Sequence, residues 1–346
     1  MEFLPTGWQA AAARRGGRRA IGGAIARAVV APAVPWGVLG PIGHLAALAA
    51  YGVRRRHQID HDQDAHREHL WTAPRGLPAG LELAWLGTAG FRLTYQGQHL
   101  LIDPYLTRLP LGDLLRRRVV PADVARLAAV PDPVGILVGH THFDHALDVP
   151  ALARRSGCQV YGSSSLAHLM KLHGLAPQAV TVEPHRTYEL GPFAVSFVPS
   201  LHAKLAGGLW VPYGGELTCD HVDHLTPQAY KCGQVWGIHI AVGGASIYHQ
   251  GSCDLIESEL RHKGVDVLLC GISGRRFTRR YVERLLRAFE PALVVPHHFD
   301  DFFQPLDAPM AMSLNVNLAG FVDEVAAVSR DFPVATLGLG QAVRAP

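Results

Sequence analysis

Apolar and polar positions alternate regularly from about Leu81 onward. In LELAWLGTAGFRLTYQGQHLLIDPYL, Leu81, Leu83 and Trp85 alternate with other residues, and so do Phe91, Leu93 and Tyr95, which predicts two short strands. Gln96-Gly97 reads as the turn that follows, and Leu100-Leu101-Ile102 as a buried strand ending at Asp103-Pro104. Short apolar runs predict further strands over 134–140, 159–164, 188–200, 236–251, 265–273 and 292–298. Between them, VPALARRSG (149–157), SLAHLMKLHG (165–174) and RRYVERLLRAF (279–289) have helical spacing, and the first two stop at a glycine. Strands first, then strand–helix alternation, predict a layered α/β domain with its helices outside.

Two zones with different patterns precede this domain. Residues 1–56 are rich in Arg, Ala, Gly and Pro. From Ala28 to Val53 there is no Asp, Glu, Lys or Arg, and arginines flank the run. Its length suits a membrane span, but Pro32, Pro35, Pro41 and three interleaved glycines would break such a helix. It is read as a membrane-surface or docking segment, with a packed extension, a span and a cleaved signal as alternatives. Residues 57–80 read as a polar linker rich in His and Asp, solvated or helical.

Composition narrows the function. Hydrophobic residues make up 48% of the 346, enough to bury a large core. A net charge of +3 carries no basic stripe, so no nucleic-acid partner is expected. Five scattered cysteines without a CxxC pair argue against a disulfide framework and for a reducing, cytoplasmic setting, with membrane-surface association through residues 1–56. Twenty histidines are the anomaly, roughly two to three times ordinary usage. Imidazole is the commonest metal ligand, so the count raises a metal hypothesis without placing the site.

Spacing places it. In GHTHFDHALD, His140, His142, Asp144 and His145 fall within six residues directly after an apolar strand. Neutral imidazoles and a carboxylate are good donors for divalent ions, and four at this spacing can serve two adjacent ions.

H-x-H-x-D-H after a strand is the signature of the metallo-β-lactamase superfamily, which this chain resembles over roughly residues 81–343. It looks most like the branch of general metal-dependent hydrolases that holds the ascorbate-6-phosphate lactonases and the phospholipase D acting on N-acyl-phosphatidylethanolamine. The resemblance implies a four-layer αββα sandwich carrying an N-terminal extension, with Asp103 at the family's structural Asp-Pro position. It carries a histidine onto His202 in FVPSLHAK and a final one onto His298 in PHHFDDF, with His297 as its neighbour. It implies one ion on His140, His142 and His202 and another on Asp144, His145 and His298. The family's bridging aspartate directly follows a glycine; here Gly251 is followed by Ser252, and Asp254 is expected to take the bridging role from two positions further on. His249 and His297 are expected to support a ligand or meet the substrate.

Two ions sharing a hydroxide lower its pKa and stabilise an anionic transition state. Zinc is the expected ion, and the donor set serves iron or manganese as well. Asp144 is the catalytic candidate, able to orient the nucleophile or take a proton. An insertion at about 205–235, with paired glycines and Trp210, Tyr213 and Tyr230, reads as a substrate-covering lid. Its Cys219-Asp220-His221-Val222-Asp223-His224 run has metal-like composition but reads as a polar loop. Arg116–Arg118 and Arg275-Arg276 read as solvated or acid-paired, with a phosphate contact as the alternative. The expected activity is hydrolysis of an ester-like bond, a phosphodiester of a small or lipid-like amphipathic substrate. A lactonase and a non-catalytic metal-binding protein with a damaged site are the alternatives, and a diiron redox role ranks below them.

Overall fold

Each alternating or apolar segment named above forms a strand in the computed structural model, which describes residues 58–72, 77–204, 209–313 and 316–346. In the first sheet, β1 (Glu82–Gly87), β2 (Gly90–Tyr95) and β3 (Gln98–Ile102) form an antiparallel meander. β4 (Gly135–Leu137), β5 (Gln159–Gly162) and β6 (Ala179–Thr181) continue it in parallel. The late strand β14 (Ala342–Arg344) returns to pair with β1, so the order is β14-β1-β2-β3-β4-β5-β6.

The second sheet has the order β11-β8-β9-β10-β12-β13, with β7 on β8. Its members are β7 (Thr187–Leu190), β8 (Phe193–Leu201), β9 (Val235–Val242), β10 (Ala245–Gln250), β11 (Asp254–Leu255), β12 (Val267–Gly271) and β13 (Leu293–His297). The runs 188–200 and 236–251, expected as single strands, are two hairpins: β7–β8 and β9–β10. At the second, Gly243 and Gly244 take φ of 57° and 89°, the left-handed values that reverse the chain in two residues.

The inner faces of the two sheets share one core. Leu83, Trp85, Phe91, Leu93, Leu100 and Ile102 of the first pack with Val195, Phe197, Ile238, Ile240 and Ile247 of the second, all at 0–1% exposure. Each such side chain contributes about 1.5–3 kcal/mol by burial. Helices cover the outer faces. α5 (Val149–Ser156) and α6 (Ser164–Leu172) bury Leu152, Leu166, Leu169 and Met170 against Ile136, Val138 and Val160. Ser163 caps α6 by accepting the Leu166 N–H, and Gly157 ends α5 at φ 72°. On the other face, α7 (Tyr281–Phe289) buries Val282, Leu285, Leu286 and Phe289, and α8 (Leu318–Val328) buries Leu318, Phe321 and Val325. The result is the four-layer αββα sandwich.

The domain starts earlier than residue 81. Residues 58–68 form helix α1, and it packs on the domain rather than linking to it. Buried Asp62 accepts the Ala319 N–H at the start of α8, Ala65 and Trp71 enter the core, and Leu70 bridges to Thr336. The polar linker is corrected accordingly. The short helices α2 (Leu111–Leu115), α3 (Val124–Leu127) and α4 (Phe143–Ala146) flank the loop end of the first sheet. Among the described residues no helix is long and apolar enough to cross a membrane. The charge-free run 28–53 lies outside the described residues.

Candidate metal centre

The site is built where β4 ends. Gly139 donates its N–H to Asp103 Oδ1 (2.7 Å) and accepts the Trp236 N–H (2.8 Å), which pins the turn between the two sheets. His140 and Thr141 follow in the loop, and His142 is the residue before α4, so Asp144 and His145 sit on that one helical turn. His202 comes one residue after β8 and His298 one residue after β13. All lie at one edge of the paired sheets.

These residues form two groups whose donor atoms lie within 4.8 Å of one another: His140, His142 and His202, and Asp144, His145 and His298. In the first, ring centroids are 4.7–5.1 Å apart. His140 stands against His145 of the second at 3.9 Å, so the groups are adjacent.

Hydrogen bonds select the free nitrogens. His142 donates Nε2–H to the Pro212 carbonyl (2.9 Å), which leaves Nδ1 as its donor, 3.0 Å from His140 Nε2. His202 donates Nδ1–H to the Ala203 carbonyl (2.8 Å) and keeps Nε2. His145 donates Nδ1–H to Asp103 Oδ2 (2.8 Å) and turns Nε2 towards Asp144. His298 Nε2 lies 3.2 Å from Asp144 Oδ2. Orienting partners of this kind fix the tautomer and aim the ligand.

Electrostatics prepares the same atoms. Burial, reinforced by the neighbouring imidazoles, holds His140 well below the usual imidazole range and His142 down to about 3. Both are therefore neutral, with a lone pair to give, at neutral pH. At His145 burial acts the same way, but the Asp103 and Asp144 carboxylates outweigh it and raise the ring. Burial alone would raise the Asp144 carboxyl; His145 and His298 beside it outweigh that and hold it well below the ordinary carboxylate range. Two convergent triads, five imidazoles and one carboxylate in all, fit divalent ions in number, chemistry and spacing.

The last histidine needs a special backbone. His298 has φ 60° and is held by its N–H on the Thr88 carbonyl (2.8 Å). Thr88 donates its N–H to Asp300 Oδ1 (2.8 Å) and meets Arg108 through its hydroxyl (3.0 Å), while Arg108 and Asp300 form a buried ion pair at 2.7 Å. Gly87 permits the crossing: at φ 92° a Cβ there would come 1.8 Å from Arg108 Nη2. Asp148 of GHTHFDHALD is also structural, accepting the Leu106 and Thr107 N–H groups (2.6 and 2.8 Å). Sequence reasoning missed Arg108, Thr88, Asp300, Asp148 and Pro212. The aspartates six residues after His142 and two after His298 were the available signals.

Asp254 stands outside both triads. It opens β11 opposite Leu201, accepts the Leu255 N–H (2.9 Å) and lies 3.6 Å from Arg284. Parity along a straight strand would have kept it level with Ser252, but the chain bends at Ser252-Cys253 and the Arg284 charge takes the carboxylate. Ser252 donates its hydroxyl to the Leu201 carbonyl (2.7 Å). His249 and His297 are fully buried behind the site, stacked at 4.9 Å and 7°, and neither joins a triad. His249 bonds the Ala89 carbonyl (2.9 Å).

The described part of the insertion, from Leu209, is pinned to the domain. Besides the bond between His142 and Pro212, Thr141 donates to the Lys231 carbonyl (2.6 Å), and Ser165 and Glu216 are paired. These bonds hold its described residues as a wall beside the triads. Tyr213 faces His142 at 6.4 Å, Tyr230 is buried, and Leu209 and Trp210 are 73% and 53% exposed. His221 and His224 are exposed beside Asp223 and Asp220, outside any metal-like group among the described residues. Arg275 is buried on Glu324 and the Asn317 carbonyl, a structural tie. Arg116–Arg118 are exposed.

The chain is similar to proteins described as UPF0173 metal-dependent hydrolases. It is 29% identical over 240 residues to one from Methylobacterium nodulans, covering 67% of this chain and 89% of the relative. It is 28% identical over 225 residues to one from Carboxydothermus hydrogenoformans, covering 64% and 85%. Among solved structures, the diiron β-hydroxylase CmlA from Streptomyces venezuelae shares the fold at TM-score 0.53 and 15% identity, over 78% of this chain and 55% of that one. Igni18, a metallo hydrolase from Ignicoccus hospitalis, aligns at TM-score 0.47 and 20% identity, over 77% and 98%. The family model of the β-lactamase superfamily domain matches residues 82–298, where both triads lie, and the chain belongs to that superfamily.

Proposed function

We propose that this protein is a metal-dependent hydrolase that cleaves a phosphodiester in an amphipathic or lipidic substrate, with one divalent ion in each triad. The observation that carries the reading is the pair of convergent triads lying against a segment that exposes Leu209 and Trp210, three and two residues before the Pro212 carbonyl that holds His142. Exposed large apolar groups beside a polar centre suit a substrate with an apolar tail and an anionic head. The relatives described as metal-dependent hydrolases, and the likeness of GHTHFDHALD to the lactonase and phospholipase D branch, support the same class.

Two divalent ions, when bound, supply a nucleophile from water at neutral pH and offset charge on the departing oxyanion. His140, His142 and His202 present neutral nitrogens, and His145 and His298 complete the second triad beside Asp144. Asp144 keeps an ionised carboxylate within the second triad, where it orients water and takes up a proton as the catalytic residue. Asp103 fixes the tautomer of His145. Zinc is the proposed ion, with iron and manganese served by the same donors. Membrane-surface association through residues 1–56 belongs to the same proposal.

The test is a substrate panel on metal-loaded protein: bis-nitrophenyl phosphate, a phospholipid analogue in detergent, and a lactone. Turnover of the diesters, stronger for the amphipathic one, is expected. Turnover of the lactone alone overturns the substrate assignment, and metal binding with no turnover of any of the three overturns the hydrolase reading. Full activity on liposomes after deletion of residues 1–56 refutes the membrane role.

A further inference from the structure

The two triads are unequal in charge, and the inequality continues one bond outward. Asp144, His145 and His298 include a carboxylate, and His145 is backed by a second one, Asp103, at 2.8 Å. His140, His142 and His202 are all neutral donors, and the partners behind His142 and His202 are the backbone carbonyls of Pro212 and Ala203. No side chain among the described residues belongs to both triads. The two that could have spanned them are engaged elsewhere: Ser252 gives its hydroxyl to the Leu201 carbonyl, and Asp254 lies against Arg284.

Two divalent cations side by side repel strongly, and the repulsion is offset only by negative charge placed between or beside them. Here the protein supplies that charge on one side only. We propose that the triads load unequally: Asp144, His145 and His298 form the tight site, and His140, His142 and His202 hold a second ion firmly only together with an oxyanion from solution lying across both. That oxyanion is a phosphate group, from a diester or as free phosphate. The inference rests on the two-ion reading above and deepens it, because substrate-like anion and second ion then strengthen each other's binding by the same factor.

The experiment is calorimetric titration of metal-free full-length protein with Co²⁺, with bound metal counted by atomic emission. The titration is run alone, with inorganic phosphate and with dimethyl phosphate. Expected are one tight ion per chain, a second at least tenfold weaker, and a tenfold or greater gain at the second alone when either anion is present. The anion with the larger gain identifies the source. His202→Ala should keep the first ion and lose the anion effect, and Ser252→Asp should bind the second ion tightly without added anion. Two equal tight ions without anion, no anion effect on the unaltered protein, or loss of the first ion in His202→Ala overturns the inference. The unaltered protein decides the matter if Ser252→Asp fails to fold. Unequal loading with no diester turnover leaves this inference standing and sinks the substrate assignment, whereas equal loading with turnover does the reverse.

Discussion

Replacing Asp300 with alanine tests whether a buried ion pair, and not the metal ligands alone, sets the position of His298. The side chains of Arg108 and Asp300 are 1% and 2% exposed. Removing the carboxylate leaves a guanidinium buried without its counter-charge, a loss of about 3–5 kcal/mol. Thr88 also loses the acceptor of its N–H, which adds about 1 kcal/mol. The Thr88 carbonyl then no longer holds the His298 N–H in place, so metal should be lost from the triad that His298 completes. Urea denaturation of the metal-free protein reads the stability, and equilibrium dialysis reads the metal. The double variant Arg108→Met, Asp300→Leu separates the two effects. With both charges gone the fold should recover most of its stability, while metal at the His298 triad stays low because Thr88 is still untethered. A loss under about 1 kcal/mol in Asp300→Ala, or full metal in both variants, would refute the reasoning.

Three further outcomes are expected. Asp103→Asn should weaken metal binding by about 10- to 100-fold through His145, the usual effect of losing a ligand's orienting partner; unchanged metal content would show that Asp103 serves only the Gly139 turn. His142→Ala and His298→Ala should each abolish activity and lower metal content, while His297→Ala should retain metal, and equal metal loss at 297 and 298 would contradict the register. Burial and the stacked His262 ring hold His239 down to about 4. Below pH 6.5 the unfolded chain therefore takes up a proton that the folded one refuses, so this contribution to stability is complete above pH 6.5 and is lost as the pH falls towards 4. His239→Gln should flatten the fall in melting temperature over that window, and an unchanged slope would remove His239 from the account.

The legible parts of this protein were the local ones. Four donor-bearing side chains fall within six residues, and the strand before them is an apolar run, so periodicity and spacing pointed to His140, His142, Asp144 and His145 together, and the structure brings all four into the two groups. His202 and His298 came through resemblance, each just past a strand end. What stayed hidden depends on contacts distant in sequence. The helix at 58–68 looked like a solvated linker because only Asp62, Ala65 and the following Trp71 turn inward, and Asp62 finds its partner 257 residues away at Ala319. Arg108 and Asp300 are ordinary surface-type residues until Gly87 lets them meet under Thr88. Asp254 misled because the parity argument assumes a straight strand, and the chain bends between Gly251 and β11. The two hairpins were merged into long strands because two-residue turns barely interrupt an apolar pattern.

The bond from His142 to the Pro212 carbonyl makes the insertion and the metal centre one mechanical unit. A shift of that wall by a fraction of an ångström re-aims a ligand, so the colour of a bound cobalt ion would report on whatever seats itself against Trp210 before any bond is cut. The same coupling constrains divergence: a new substrate preference cannot be built by freely rewriting this segment, because each rewrite also moves the carbonyl that orients His142.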